Sequence, residues 1–292
     1  MKKIISSIEL NLLLATIVLL SACAEPSKKI EEEDNAEEIE NTEGMEDTYV
    51  DEEDLSIMLP SPLQIAAIFN KVGLEYHEGL INQPSNIDKY NTKTSKYLNF
   101  GIYSADLAYA VLNDKQQSAI DILNAIKTMS EEIGMSNIFS TGDLIKSFEE
   151  NISNQDTILY ILTEIKQRTD DYLEENSEES KEAIFFSAAW LEGMYIGSNS
   201  LASNDKIAPR LVEQMTILDN IIRALDKHND ETLDIGFLIE GLNNINSSFK
   251  SIPVVDQYYS EEIDLNDVEL NEEDLNMLKE KINSLRTEIV EG

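Results

Sequence analysis

Apolar residues recur every three or four positions along most of the chain, and few glycines or prolines interrupt them. This spacing lines one face of an α-helix, and no segment has the strict alternation of a half-buried strand. The pattern predicts an all-α fold, a helical bundle, over residues 57–253, with Pro253 ending the series. The eight predicted helices cover 61–83, 95–113, 116–133, 141–152, 155–174, 180–200, 206–227 and 231–249.

The order of the apolar motifs suggests that four helices are repeated twice. Ile65 and Phe69 correspond to Ile158 and Leu162 at an offset of 93, and two further motifs recur in the same order at offsets of 86 and 94. An offset that changes only between helices is expected of a duplicated unit whose loops vary in length. The sequence therefore predicts two tandem four-helix units, 57–153 and 154–250, packed across a pseudo-symmetric interface.

Two of the predicted helices are apolar almost all round, at 97–112 and 183–197, so both should be buried at the centre. Each carries one acid in its middle, Asp106 and Glu192, at equivalent repeat positions. A buried carboxylate is costly unless it is paired or hydrogen-bonded. Three interpretations remain open: donors within the core satisfy the acids, the acids face a cationic or hydroxylated ligand, or they form a catalytic pair. The nearby candidate donors are Tyr103, Tyr109, Ser187, Trp190 and Tyr195.

A last amphipathic helix is predicted at 271–290, within an acidic extension that spans 254–292 and holds twelve acids and three bases. A regular apolar stripe of this kind must be covered, either by the body or by a partner. The stripe consists of Leu275, Leu278, Ile282, Leu285 and Ile289.

The N-terminus has the layout of a secretory signal, with Lys2 and Lys3 followed by an eleven-residue apolar run, 10–20. As a helix this run would reach about half of the ~30 Å hydrocarbon core, so it is not expected to remain as a membrane span. It ends in Leu20-Ser21-Ala22-Cys23, which contains the only cysteine of the chain. This motif resembles the lipobox of bacterial lipoprotein precursors, and the resemblance implies a signal peptide, 1–22, and lipidation of Cys23.

The segment 23–56 is predicted to be a disordered acidic tether, because residues 24–56 contain fifteen acids and only two lysines. Like charges keep such a chain extended and repel it from anionic headgroups. The stretch 28–34 also resembles the acidic export tags of envelope and surface lipoproteins of the Bacteroidota. That resemblance implies an outer-membrane location, and whether the protein faces the cell surface or the periplasm stays open.

The sequence offers little chemistry beyond the acid pair. We find no nucleophile motif, no phosphate-binding glycine loop and no metal-ligand spacing, so no catalytic residue, cofactor or metal is predicted. A net charge of −35 argues against nucleic-acid binding. We therefore expect a lipid-anchored, non-enzymatic helical binding or adaptor module of the cell envelope, with an envelope protein or a small ligand as partner. The alternative is an enzyme of unrecognised type with Asp106 and Glu192 at its centre.

Overall fold

The computed structural model describes residues 61–140, 144–201, 206–227 and 232–292. The predicted signal peptide and tether lie outside the described residues. Within them there is no strand, and the predicted all-α helical bundle is confirmed. No helix of the described part is long and apolar enough to cross a membrane. The helices are α1 Pro62–Lys71, α2 Lys93–Leu112, α3 Gln116–Glu132, α4 Asn137–Ser140, α5 Leu144–Glu150, α6 Gln155–Glu175, α7 Glu179–Asn199, α8 Ile207–Met215, α9 Leu218–Lys227, α10 Gly236–Lys250, α11 Pro253–Tyr259 and α12 Glu272–Glu291.

The first helix begins as predicted but is much shorter. Ser61 caps it by accepting a hydrogen bond from the Gln64 backbone, and the Gln64 side chain accepts one from the Ser61 backbone. It ends at Lys71 because Gly73 takes a left-handed conformation, with φ at 85°. The prediction of one helix over 61–83 is therefore wrong, and two short 3₁₀ turns, Glu78–Leu80 and Pro84–Lys89, follow instead.

Other predicted boundaries also differ, and the helix predicted over 231–249 begins only at Gly236. The helix predicted over 206–227 is divided into α8 and α9 at residues 216–217. Pro253 does not end the helical series, because it occupies the first turn of α11, where a proline needs no backbone N–H donor. The proposed duplication stays a prediction.

The two apolar helices form the centre of the bundle, as their composition predicts. Most residues of α2 and α7 are buried, and the two helices pack directly against each other. Gly101 permits this close approach, because a Cβ atom there would lie 2.2 Å from the Phe185 carbonyl oxygen. Gly193 does the same for α1, since a Cβ atom there would lie 2.7 Å from the side chain of Ile65. Asp106 and Glu192 therefore lie on helices fixed by dense packing.

The C-terminal helix α12 buries its apolar stripe on the body, against α7, α10 and α2. Leu278, Ile282, Leu285 and Ile289 are buried, while Leu275 at the start of the stripe is partly exposed. Asn271 caps the helix by accepting a hydrogen bond from the Asp274 backbone at 2.9 Å. The sequence left open whether the body or a partner covers this stripe, and in the structure the body covers it.

Candidate functional site

The two predicted acids are both fully buried at the centre of the bundle. Asp106 lies in α2 and Glu192 in α7, and neither residue has measurable solvent exposure. A charge in such a place needs a counter-charge or several hydrogen bonds. The surrounding residues therefore decide whether the pair can act on a ligand.

Glu192 is bound by Arg286, which α12 carries into the core. The guanidinium donates two parallel hydrogen bonds, from Nε to Oε2 and from Nη2 to Oε1, each 2.9 Å long. A third, longer contact of 3.4 Å runs from Nη2 to the Leu80 carbonyl oxygen. The Tyr195 ring covers the cation, with its centroid 4.4 Å from the guanidinium carbon. This is a bidentate, charge-assisted pair, the strongest geometry available to a carboxylate.

Asp106 is only partly satisfied. Its Oδ2 atom accepts a hydrogen bond of 2.9 Å from the Asn82 backbone N–H, and its Oδ1 atom accepts none from an ordinary donor. A hydrogen bond between the two carboxyl groups, of Asp106 and Glu192, further favours the protonated form of Asp106. Burial raises the pKa of Asp106 well above its ordinary value, and the negative charge of Glu192 raises it further, while Arg286 offsets part of the shift. Burial and the neighbouring charge of Glu192 therefore both favour the protonated form of Asp106. One carboxylate and one guanidinium then leave the cluster electrically neutral.

The aromatic donors expected from the sequence do not cap the acids. Tyr109 donates from its hydroxyl to the Glu75 carbonyl oxygen at 2.6 Å and accepts from the His77 backbone N–H at 2.8 Å. Burial is the main cause that raises the pKa of Tyr109, to about 12. Trp190 donates to the Gln214 carbonyl oxygen. These side chains fasten loops and neighbouring helices to the core, so that part of the prediction is wrong.

The end of α12 is held by polar side chains of the body. Asn99 donates to the Ile289 carbonyl oxygen at 3.1 Å, and Tyr90 donates to that of Val290 at 3.3 Å. Asn82 ties the two donors together, with bonds to Tyr90 at 2.9 Å and to Asn99 at 3.1 Å. The last carbonyls of a helix have no partner inside the helix, so these bonds serve as its C-terminal cap. Asn82 therefore contacts Asp106 through its backbone and supports the two side chains that cap α12.

Reaction at the acids would require α12 to move. Arg286 occupies both oxygens of Glu192, and its own side chain is only 12% exposed. A groove of about 480 Å³ lies away from the acids, between α10 and α12, and its charged lining residues are Glu240, Glu280, Glu288 and Lys281. In the part of the chain that the structure describes, no group of three or more metal-ligating side chains could hold a metal ion. In this conformation the arrangement can stabilise the core but cannot reach a substrate.

Sequence reasoning missed Arg286 and Asn82. Arg286 could have been found, because it lies four residues after Ile282 and three before Ile289, on the apolar stripe of the last helix. A buried acid needs a cation or a proton, and Arg286 lies next to the predicted buried face. Asn82 acts through its backbone N–H from a loop, and nothing in its sequence context indicated that contact.

Comparison with known proteins gives no relative from which a function could be transferred. No family model, curated protein or solved structure matches this chain. The residues of the chain itself therefore carry the functional argument.

Proposed function

We propose that this chain is a lipid-anchored, non-enzymatic binding or adaptor module of the bacterial cell envelope, held at the outer membrane through Cys23. The support for the anchor is the lipobox-like stretch Leu20-Ser21-Ala22-Cys23 with its preceding apolar run. Three acyl chains on one cysteine would hold a protein at a membrane far more firmly than a single chain can. The acidic tether would keep the body away from anionic headgroups.

The observation that favours a non-enzymatic role is the pairing of Glu192 with Arg286. A catalytic carboxylate must reach a substrate atom, directly or through one water molecule. Here both oxygens of Glu192 are bonded to the guanidinium, and Asp106 is fully buried behind the same helices. The pair is best explained as the neutral polar centre of a structural core.

The surface that we favour for a partner is the outer side of α10 and α12. The apolar stripe of α12 is covered by the body, so it is not free to bind an envelope protein. The groove between the two helices combines Phe237 and Leu285 with three glutamates and one lysine, Lys281, and this net negative lining would suit a basic segment with an apolar side chain. A basic envelope protein is therefore the partner class we favour over nucleic acid.

One observation favours the alternative, an enzyme with a central carboxylate pair. Asp106 has a raised pKa and an unpartnered oxygen, as a general acid often has. This role requires α12 to withdraw Arg286 so that solvent or substrate reaches the acids.

Two experiments test these roles. Radiolabelled palmitate should enter the wild-type protein but not Cys23→Ser, with Ser27→Ala as a control that keeps its label; incorporation into Cys23→Ser would contradict the anchor. Carbodiimide labelling of carboxyl groups, read by peptide mass spectrometry, should modify exposed Glu150 and spare Asp106 and Glu192, because buried groups are shielded from the reagent. Modification of Glu192 as fast as Glu150 would favour the enzyme.

A further inference from the structure

The body carries a complete receptor for an arginine on a helix. Glu192 supplies two oxygens in a plane, Leu80 supplies a carbonyl, and Tyr195 supplies an aromatic face. This combination matches the fork of donors and the flat face of a guanidinium rather than the compact ammonium of lysine. Two further body residues, Asn99 and Tyr90, cap the helix that brings the arginine.

The helix that fills this receptor is the last element of the fold, and its connection is well suited to a hinge. Residues 260–271 join α11 to α12 and contain only a short 3₁₀ turn, Leu265–Asp267. Eight of these twelve residues are exposed, Val268 is buried, and Ile263, Leu265 and Leu270 are partly buried against the core. Glu261, at the start of the connection, has φ at 59°, a conformation that non-glycine residues seldom adopt. Extended fully, twelve residues reach about 40 Å, enough to cross to a neighbouring copy.

We propose that α12 exchanges between two copies of this chain, so that Arg286 of each copy binds Glu192 of the other in a closed dimer. The contacts between α12 and the body are kept in such a dimer, so the exchange costs only the contacts that the connection itself makes with the body, and it needs a second copy nearby. The receptor is incomplete without an arginine-bearing helix, because Glu192 would remain as a buried, unpaired charge. The proposal does not depend on lipid anchoring, although confinement to a membrane would raise the effective concentration.

Complementation between two variants tests the exchange. Both variants are made in the full chain with Cys23→Ser, which excludes lipid and disulfide links. Glu192→Gln leaves the Arg286 guanidinium without its counter-charge, and Arg286→Met leaves the Glu192 carboxylate without its counter-charge. An exchanged heterodimer of the two variants restores one native pair and places two neutral side chains at the other site. The refolded mixture should contain dimer and should melt roughly 6–20 °C above either variant alone. A mixture that melts as two separate variants, without dimer, would overturn the proposal.

A matched control and the wild-type chain complete the test. Glu150→Gln mixed with Lys146→Met removes an exposed ion pair of 3.9 Å, so this mixture should show neither dimer enrichment nor a higher midpoint. Wild-type chain in the same Cys23→Ser background, refolded at rising concentration, should give a growing dimer fraction in size-exclusion chromatography with light scattering. Only monomer at every concentration would also overturn the exchange.

Discussion

Asp106→Asn and Glu192→Gln should have very different effects on stability, although both remove a buried acid. Burial favours the neutral form of Asp106 in the folded protein, and an asparagine replaces that neutral group with another of the same shape. The amide oxygen can still accept from the Asn82 backbone, and the amide nitrogen takes the place of the unpartnered Oδ1. At a pH low enough to protonate Asp106 in both the folded and the unfolded state, the free energy of unfolding should change by less than about 1 kcal/mol. At pH 7 the unfolded acid is ionised while burial favours the neutral folded form, so Asp106→Asn should leave the free energy of unfolding unchanged or raise it.

Glu192→Gln instead removes the negative charge that balances Arg286. Breaking a buried pair by removing one partner costs about 3–5 kcal/mol, because the other charge is left uncompensated. The cost should lie near the lower end, because Asp106 lies close enough to Arg286 to act on it and can ionise once the charge of Glu192 is removed. About 3 kcal/mol corresponds to a fall of roughly 6–12 °C in melting midpoint for a protein of this size.

Thermal and urea unfolding at pH 7 measure both changes. Exposed pairs provide the controls: Glu150→Gln and Asp170→Asn each break an i,i+4 contact with a lysine and should cost no more than about 0.5 kcal/mol. Equal, large losses for Asp106→Asn and Glu192→Gln would refute the reasoning, because they would mean that Asp106 is an ionised partner of Arg286. A rise in the melting midpoint for Glu192→Gln would also refute the reasoning, because it would mean that the charge of Glu192 destabilises the folded state.

Three further predictions concern the same core. Because the folded pKa of Asp106 is raised above its ordinary value of 3.8, the folded state binds more protons than the unfolded state. The free energy of unfolding should therefore fall as pH rises from about 4 through the raised pKa. The difference in the free energy of unfolding between wild type and Asp106→Asn should change across that range, as measured by urea unfolding. A constant difference would contradict the raised pKa of Asp106. Tyr109→Phe strands a loop carbonyl and a backbone N–H and should cost about 1–3 kcal/mol in urea unfolding, whereas exposed Tyr160→Phe should cost almost nothing; equal effects would be the wrong result. Gly101→Ala should reduce the free energy of unfolding by about 1–3 kcal/mol or more through overpacking and so lower the melting midpoint. Gly79→Ala, with open space around it, should not; an unchanged midpoint for Gly101→Ala would exclude the tight contact.

The fold class and the central helices could be predicted because both depend on the period and density of apolar residues. A helix without a polar face can only be buried, so the apolar pattern by itself puts Asp106 and Glu192 at the centre of the bundle. Boundaries were harder where one residue decides them, as at Gly73, whose left-handed conformation ends α1 early. A proline can also end one helix or begin the next, and Pro253 begins one.

The partner of the acid pair could not be predicted from the acids themselves. Tyrosines near Asp106 and Glu192 in the sequence looked sufficient as donors, but a helix directs each side chain away from most of its sequence neighbours. The cation comes from Arg286, 94 residues beyond Glu192 in the chain, and only the packing of α12 brings the two together. Long-range charge balance is the rule that would have found it: two buried acids require a cation on a buried face.

A double-mutant cycle on Glu192 and Arg286 tests most directly whether the acid pair serves the fold. Glu192→Gln, Arg286→Met and the combined variant are compared with wild type by urea unfolding at pH 7. Since the combined variant leaves no stranded charge, it should lose much less stability than the sum of the single variants, with a coupling energy of about 2 kcal/mol or more. Additive losses, with coupling close to zero, would contradict the view that Arg286 neutralises the buried acids of this core.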